Sequence, residues 1–120
     1  MPIGNDIVDL RDPETRPSGL HPRFDQRVFS PAERERIGSG EQGHRMRWLM
    51  WASKESAYKA AKKLDPRTVF SPSRFKVELE SERVGIVRFG DSVFTLLAEF
   101  SDELVHVVAA PAAELIENAR

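Results

Sequence analysis

Downstream of Gly43 the chain changes its hydrophobic period once, and that change restricts the fold more than any other feature. From about 44 to 64, Met46, Leu49, Met50, Ala57, Ala60, Ala61 and Leu64 recur at helical spacing, which predicts one long helix. Beyond Pro66 and Pro72 the pattern becomes alternation, beginning Phe75-Lys-Val77-Glu-Leu79-Glu, and residues 84–89, 92–100 and 104–110 read as three more strands. Gly90-Asp91 stands where a tight hairpin turn would join the first two of these. The expected fold class is α+β, with an antiparallel sheet packed against one long helix.

Upstream, Ile3, Ile7, Val8 and Leu10 predict a short first strand with Asp6 inside it or at its end, followed by a Pro-containing polar connection through residues 11–19. Ser30-Pro31-Ala-Glu33 has the spacing of a capping box, with Ser30 as N-cap and Pro31 in the first helical position, so a short helix starts there. Gly38, Gly40 and Gly43 are expected to break it before the long helix begins. At the other end Pro111 stops the last strand, and residues 112–120 are too few to hold an independent helix, so they either dock or fray.

A chain of 120 residues with 40% hydrophobic and 31% charged side chains is expected to form a single domain over 1–120, burying roughly two thirds of its unfolded surface. That leaves little for a deep enclosed site. The sequence has no basic leader and no apolar run near the ~18 residues of a membrane span, which places the chain in the cytoplasm and away from membranes. The absence of cysteine excludes thiolate nucleophiles, disulfides and sulfur-bound zinc, and three dispersed histidines argue against a zinc site of any kind.

Charge is unevenly distributed. Residues 21–63 carry ten Lys/Arg against five Asp/Glu, and the rest of the chain carries eight against fourteen. The basic middle favours an anionic partner, either phosphates of a small ligand or an acidic protein. Nucleic acid is disfavoured by the acidic remainder and by the lack of a reader motif.

Within that middle, Trp51, Glu55, Tyr58, Lys59 and Lys62 share one helical stripe, with Lys54 at its flank. Glu55 and Lys59 also have the spacing of an ordinary surface ion pair worth about 0.3–0.5 kcal/mol, and an Asp near a strand end often only bonds a turn amide. Should Asp6 and Glu55 converge, however, they supply hard oxygen ligands suited to Mg²⁺, which takes one or two carboxylates together with water and substrate phosphates. Neighbouring lysines would then hold the remaining phosphate oxygens. Trp48 and Trp51 are expected not to face the same way, and His21, His44 and His106 are read as surface or strand residues without a role.

Two motifs carry a family resemblance. Gly4-Asn-Asp6-Ile7 resembles the Gly-x-Asp-Ile strand of the 4′-phosphopantetheinyl transferases, and Trp51-Ala-Ser-Lys54-Glu55-Ser-Ala-Tyr-Lys59 resembles their Trp/Phe-x-x-Lys-Glu-[Ala/Ser]-x-x-Lys helix. The segment from Arg23 to Glu33 is similar to the stretch between them, and the likeness extends over roughly residues 2–80. The short holo-acyl-carrier-protein synthase branch fits best, since this chain has the length of one half of the larger relatives. The resemblance implies Mg²⁺-dependent transfer of 4′-phosphopantetheine from coenzyme A to a serine of an acyl or peptidyl carrier protein, with release of 3′,5′-ADP. It implies Asp6 and Glu55 as metal ligands, Glu55, Asp6 and Lys59 as catalytic residues, and Lys54, Lys59 and Lys62 as holders of coenzyme A phosphates. Arg23, Arg27 and Arg45 or Arg47 would face an acidic carrier protein. A homo-oligomer, most simply a trimer with sites at subunit boundaries, is implied as well.

The sequence departs from the family where many members carry Ser-x-Ser/Thr-His before the final strand, since Leu96-Leu-Ala-Glu99-Phe-Ser101 stands there. Val8 occupies the place where larger relatives have a second strand acid. These departures keep a second reading open, that of a catalytically weakened relative that binds coenzyme A or a carrier protein without efficient transfer.

Overall fold

The computed structural model describes residues 2–112, and the tail after Ala112 lies outside them. Strand β1 (Gly4–Asp9) opens the fold, and two short 3-10 turns, Pro13–Thr15 and Pro17–Gly19, carry the chain to helices α1 (Phe24–Val28), α2 (Pro31–Ile37) and α3 (Gly40–Leu64). A third 3-10 turn, Pro72–Arg74, leads into β2 (Lys76–Leu79), β3 (Val84–Phe89), β4 (Ser92–Phe100) and β5 (Leu104–Pro111). All five strands form one antiparallel sheet in the order β1-β5-β4-β3-β2. This is the expected α+β arrangement, with α3 laid across one face.

The period-2 patterning decides which face that is. Val77, Val87, Phe94, Leu96, Ala98, Val105, Val107 and Ala109 point inward and are buried in one cluster with Leu49, Met50, Ala57 and Ala60 of α3. At about 1.5–3 kcal/mol for each fully buried large apolar side chain, this helix-on-sheet layer supplies most of the hydrophobic driving force. Ile7, Leu97 and Val84 occupy outward positions and stay 58%, 48% and 36% exposed.

Local chemistry explains the elements. Ser30 Oγ accepts from Glu33 N at 3.2 Å and Glu33 Oε1 accepts from Ser30 N at 2.7 Å, so the capping box of α2 closes as its spacing predicts. The β3–β4 hairpin turns on Gly90-Asp91, with Gly90 at φ 57° and no described non-glycine residue at positive φ, the pattern of a II′ turn. Helix α3 starts at Gly40, four residues ahead of the expected position. Gly43 does not break it: a Cβ there would come within 2.9 Å of the Gly38 backbone, so this glycine lets the first turn of α3 pack directly on the preceding loop. No described helix is long and apolar enough to cross a membrane.

Where β1 meets α3, Gly4 removes the side chain that would hold them apart. A Cβ on Gly4 would overlap the Ser56 carbonyl oxygen and approach Ala60 N to 2.7 Å and Lys59 Cβ to 2.9 Å. Ser56 Oγ then donates to Val107 O of β5 at 3.0 Å, a second tie between helix and sheet. Replacing Gly4 with alanine is expected to destabilise the chain by about 2–3 kcal/mol, through forced separation of β1 from α3. Urea denaturation followed by far-ultraviolet circular dichroism will measure it.

Candidate active site

The close approach at Gly4 brings Asp6 within electrostatic range of Glu55. Asp6 lies mid-strand on the helix-facing side of β1, opposite Val107, and its side chain is only 17% exposed. Lys59 reaches down from α3, its Nζ 3.3 Å from Asp6 Oδ1 and 2.9 Å from the Asn5 carbonyl oxygen. Glu55 is half-buried one turn earlier on the same helix stripe. Burial raises its carboxyl above the ordinary value, the charge of Asp6 raises it further, and Lys59 pulls it partly back. The two acids therefore feel each other across the β1–α3 seam.

Two carboxylates against one ammonium leave surplus negative charge, which a divalent cation would relieve. Among the described residues no group of three or more His, Cys, Asp and Glu side chains is placed to hold a metal, so the protein offers two hard oxygen donors and leaves other positions to water or ligand. That donor set fits Mg²⁺ and does not fit zinc.

Beside this seam lies a cavity of about 300 Å³ lined by Ile3, Gly4, Asn5, Tyr58, Lys59, Lys62 and Lys63. Lys63 Nζ donates to Ile3 O at 2.6 Å, and Lys62 Nζ lies 3.2 Å from Tyr58 Oη. Two of the three ammonium groups thus bond carbonyl oxygens on the free edge of β1, and all three flank one opening. Such an array suits a polyphosphate. Lys63 is absent from the sequence expectation, although its four-residue offset from Lys59 marks it as a helical neighbour. Asp6 and Glu55 line none of these cavities, but the 300 Å³ one shares Lys59 and the start of β1 with the seam, whereas the larger clefts, of about 400 Å³ around Gly38–Glu41 and about 630 Å³ around Arg67–Ser71, share no residue with it.

Several expected residues stand elsewhere. Lys54, read as a phosphate holder, is wholly buried, and its Nζ donates to Glu33 Oε1 at 3.0 Å, to Pro72 O at 2.9 Å and to Phe75 O. All three donors are taken and none faces the cavity, so the assignment is corrected. Burial lowers this ammonium's pKa and the Glu33 charge opposes that shift. Arg23 and Arg27 lie exposed at the start and end of α1. Arg45 does not join them: its guanidinium sits 4.4 Å above the Phe100 ring on β4. Arg47 instead clamps Asp25 of α1 with two bonds of 2.9 and 2.8 Å.

Trp48 and Trp51, expected to diverge, are three residues apart and meet edge to face at 6.2 Å, each also 5.7 Å from Phe24. His44, expected at the surface, is buried with Nε2 on Leu10 O at 3.0 Å. Lys62 lines the cavity. In the segment that departs from the family pattern, Leu96 and Ala98 enter the core while Glu99 points outward, opposite His106 on β5. Glu99 therefore lies on the sheet face away from α3.

Comparison with known proteins bears on this arrangement. Residues 2–113 match the family model of the 4′-phosphopantetheinyl transferase superfamily. A solved structure described as the apo-ACPS of Chronobacterium ammoiniagenes superposes with a TM-score of 0.69 at 18% identity, over 89% of this chain and 92% of that one. At that identity it speaks for the fold. No curated protein matches the chain significantly.

The raised Glu55 carboxyl gives a signed expectation. Its stabilising contribution is complete below the ordinary glutamate range and is lost as pH rises through the elevated folded value. Without divalent cation, Glu55→Gln should therefore unfold at a higher temperature than wild type at pH 7, with the gap closing as pH falls through the glutamate range. Calorimetric scans across pH will show it, and added Mg²⁺ should raise the wild-type transition more than the variant's.

Proposed function

Because the chain belongs to the 4′-phosphopantetheinyl transferase superfamily, we propose that it moves 4′-phosphopantetheine from coenzyme A to a serine of an acidic acyl or peptidyl carrier protein, in a Mg²⁺-dependent reaction. The observation that carries this reading is the Lys59–Asp6 contact across the β1–α3 seam, one helical turn after Glu55 and beside a lysine-lined cavity.

Asp6 and Glu55 would hold the metal, which when bound offsets pyrophosphate charge and the negative charge that builds during phosphoryl transfer. Lys59 gives up its bond to the Asn5 carbonyl and turns to a phosphate oxygen, and Lys62 and Lys63 hold the pyrophosphate from the α3 side. The carrier serine Oγ attacks the β-phosphorus, and the bond from that phosphorus to the oxygen bridging it to the α-phosphate breaks. Its electron pair leaves with 3′,5′-ADP. Glu55, whose carboxyl is already raised, takes the serine proton directly or through one water.

Arg23 and Arg27, exposed at the two ends of α1, and Arg45, half-buried on α3 with its guanidinium over Phe100, are cations offered to an acidic carrier. The outer sheet face, with Ile7, Leu97 and Val84 exposed, supports self-association into a trimer that completes the site at subunit boundaries. The absence of cysteine accords with work in the cytoplasm.

Incubation of the chain with coenzyme A, Mg²⁺ and a panel of apo carrier proteins should add one phosphopantetheine to a carrier serine, read by mass spectrometry. Glu55→Ala and Asp6→Ala should each lower the rate by about 10²-fold or more. Binding of coenzyme A or carrier without modification would favour the weakened relative instead. Light scattering on the eluting protein should give three times the chain mass, and Leu97→Glu should reduce it; an active monomer would overturn the assembly.

A further inference from the structure

Lys54 and Glu33 form a charged pair with almost no access to solvent, at 0% and 3% exposure, and the reaction above gives neither a part. Their connections are complete. Glu33 Oε1 accepts from Ser30 N at 2.7 Å and from Lys54 Nζ at 3.0 Å, while Oε2 accepts from Val77 N at 2.7 Å. Lys54 spends its remaining protons on Pro72 O and Phe75 O. One ammonium and one carboxylate thus tie α3 to the cap of α2, to the 72–74 turn and to the beginning of β2.

The tie is made at the residue preceding Glu55. Ser56, the residue after it, is bonded to Val107 O, and Gly4 seats β1 against the backbone of Ser56 and Ala60. Lys54 anchors α3 on the α2–β2 side and Ser56 anchors it on the β5 side, so the two together fix the helix's rotation about its own axis. A carboxylate carried about 5–6 Å from that axis moves about 1 Å for a roll of about 10°. Misplacement by about 1 Å is enough to cost about 10²-fold in rate. A buried charge pair is seldom the most stabilising choice, since a packed apolar pair of similar volume often does as well, which directs attention to geometry.

We propose that Lys54 and Glu33 are positioning residues that set the roll of α3, and through it where the Glu55 carboxylate meets Asp6. The inference rests on the site described above and assigns Lys54 no contact with phosphate.

The test uses the full chain with Lys54→Met, and with Glu33→Gln and Lys54→Met combined so that no unpaired charge is left in the core should the single variant fail to fold. Mn²⁺ binding is titrated by electron paramagnetic resonance, and kcat and the KM for coenzyme A are measured on a carrier that the wild type modifies. Folded variants should bind Mn²⁺ about tenfold more weakly and lose at least tenfold in kcat, with KM for coenzyme A within about twofold; Lys62→Ala should show the reverse split, chiefly in KM. Unchanged Mn²⁺ affinity in a folded variant would overturn the proposal, whether KM rises, as for a phosphate ligand, or nothing changes but the melting temperature. Absence of transfer by the wild type would overturn the reaction proposed above, while the Mn²⁺ titration still decides the role of this pair.

Discussion

The contact between the backbone of β1 and the backbone of α3 at Gly4 is the constraint on which the rest depends. With no side chain between them, strand and helix approach so closely that Asp6, two residues along the strand, faces the turn of α3 that carries Glu55 and Lys59. A larger residue would push the helix outward, and the length of an aspartate side chain could not span the gap. The apolar core is compatible with many helix positions over a sheet of this kind. Gly4, the Ser56–Val107 bond and the Lys54–Glu33 pair select one of them.

That selection brings like charges together. Glu55 is disfavoured by burial and by Asp6, and Lys59 offsets only part of it. Sites that hold such groups against their own preference depend on scaffolding that resists relaxation, and the surrounding ties serve that purpose. The lysines show the complementary adaptation. Lys59 and Lys63 satisfy carbonyl oxygens on the unpaired edge of β1. An exposed strand edge is thereby capped by groups that retain their charge for an incoming anion.

Features written in local chemistry were legible in the chain itself. The Ser30–Glu33 capping box, the Gly90-Asp91 turn and the alternation of β3 and β4 depend on residues close in sequence, and each formed where its pattern lies. That Asp6 and Glu55 lie within electrostatic range of each other was expected only through the family resemblance, since nothing in periodicity joins residues 49 positions apart. Lys54 shows the limit most clearly. A helical wheel places it at the flank of a polar stripe, but its burial is decided by α2 and the 72–75 segment, whose positions no spacing within α3 encodes. Gly43 and His44 were misread for a related reason. A glycine required for close packing looks like a helix breaker, and a histidine bonded to a distant carbonyl looks like a surface residue.

The place of the site within the sheet accounts for its shape. Because β1 is an edge strand, the seam between it and α3 has a wall of strand backbone and a wall of lysines but opens along the side where no further strand is paired. Among the described residues none closes that side, and α3 already spends its apolar stripe on the inner face. Two unfinished surfaces follow, the open flank of the seam and the apolar outer face bearing Ile7, Leu97 and Val84. The two adjoin at β1, where Ile7 projects outward from the same strand that turns Asp6 inward, while Leu97 and Val84 lie two and three strands away. A neighbouring copy packed against that outer face would sit beside the open flank of the seam, so the feature that exposes the acids to a substrate is the same one that would place another subunit within reach of it.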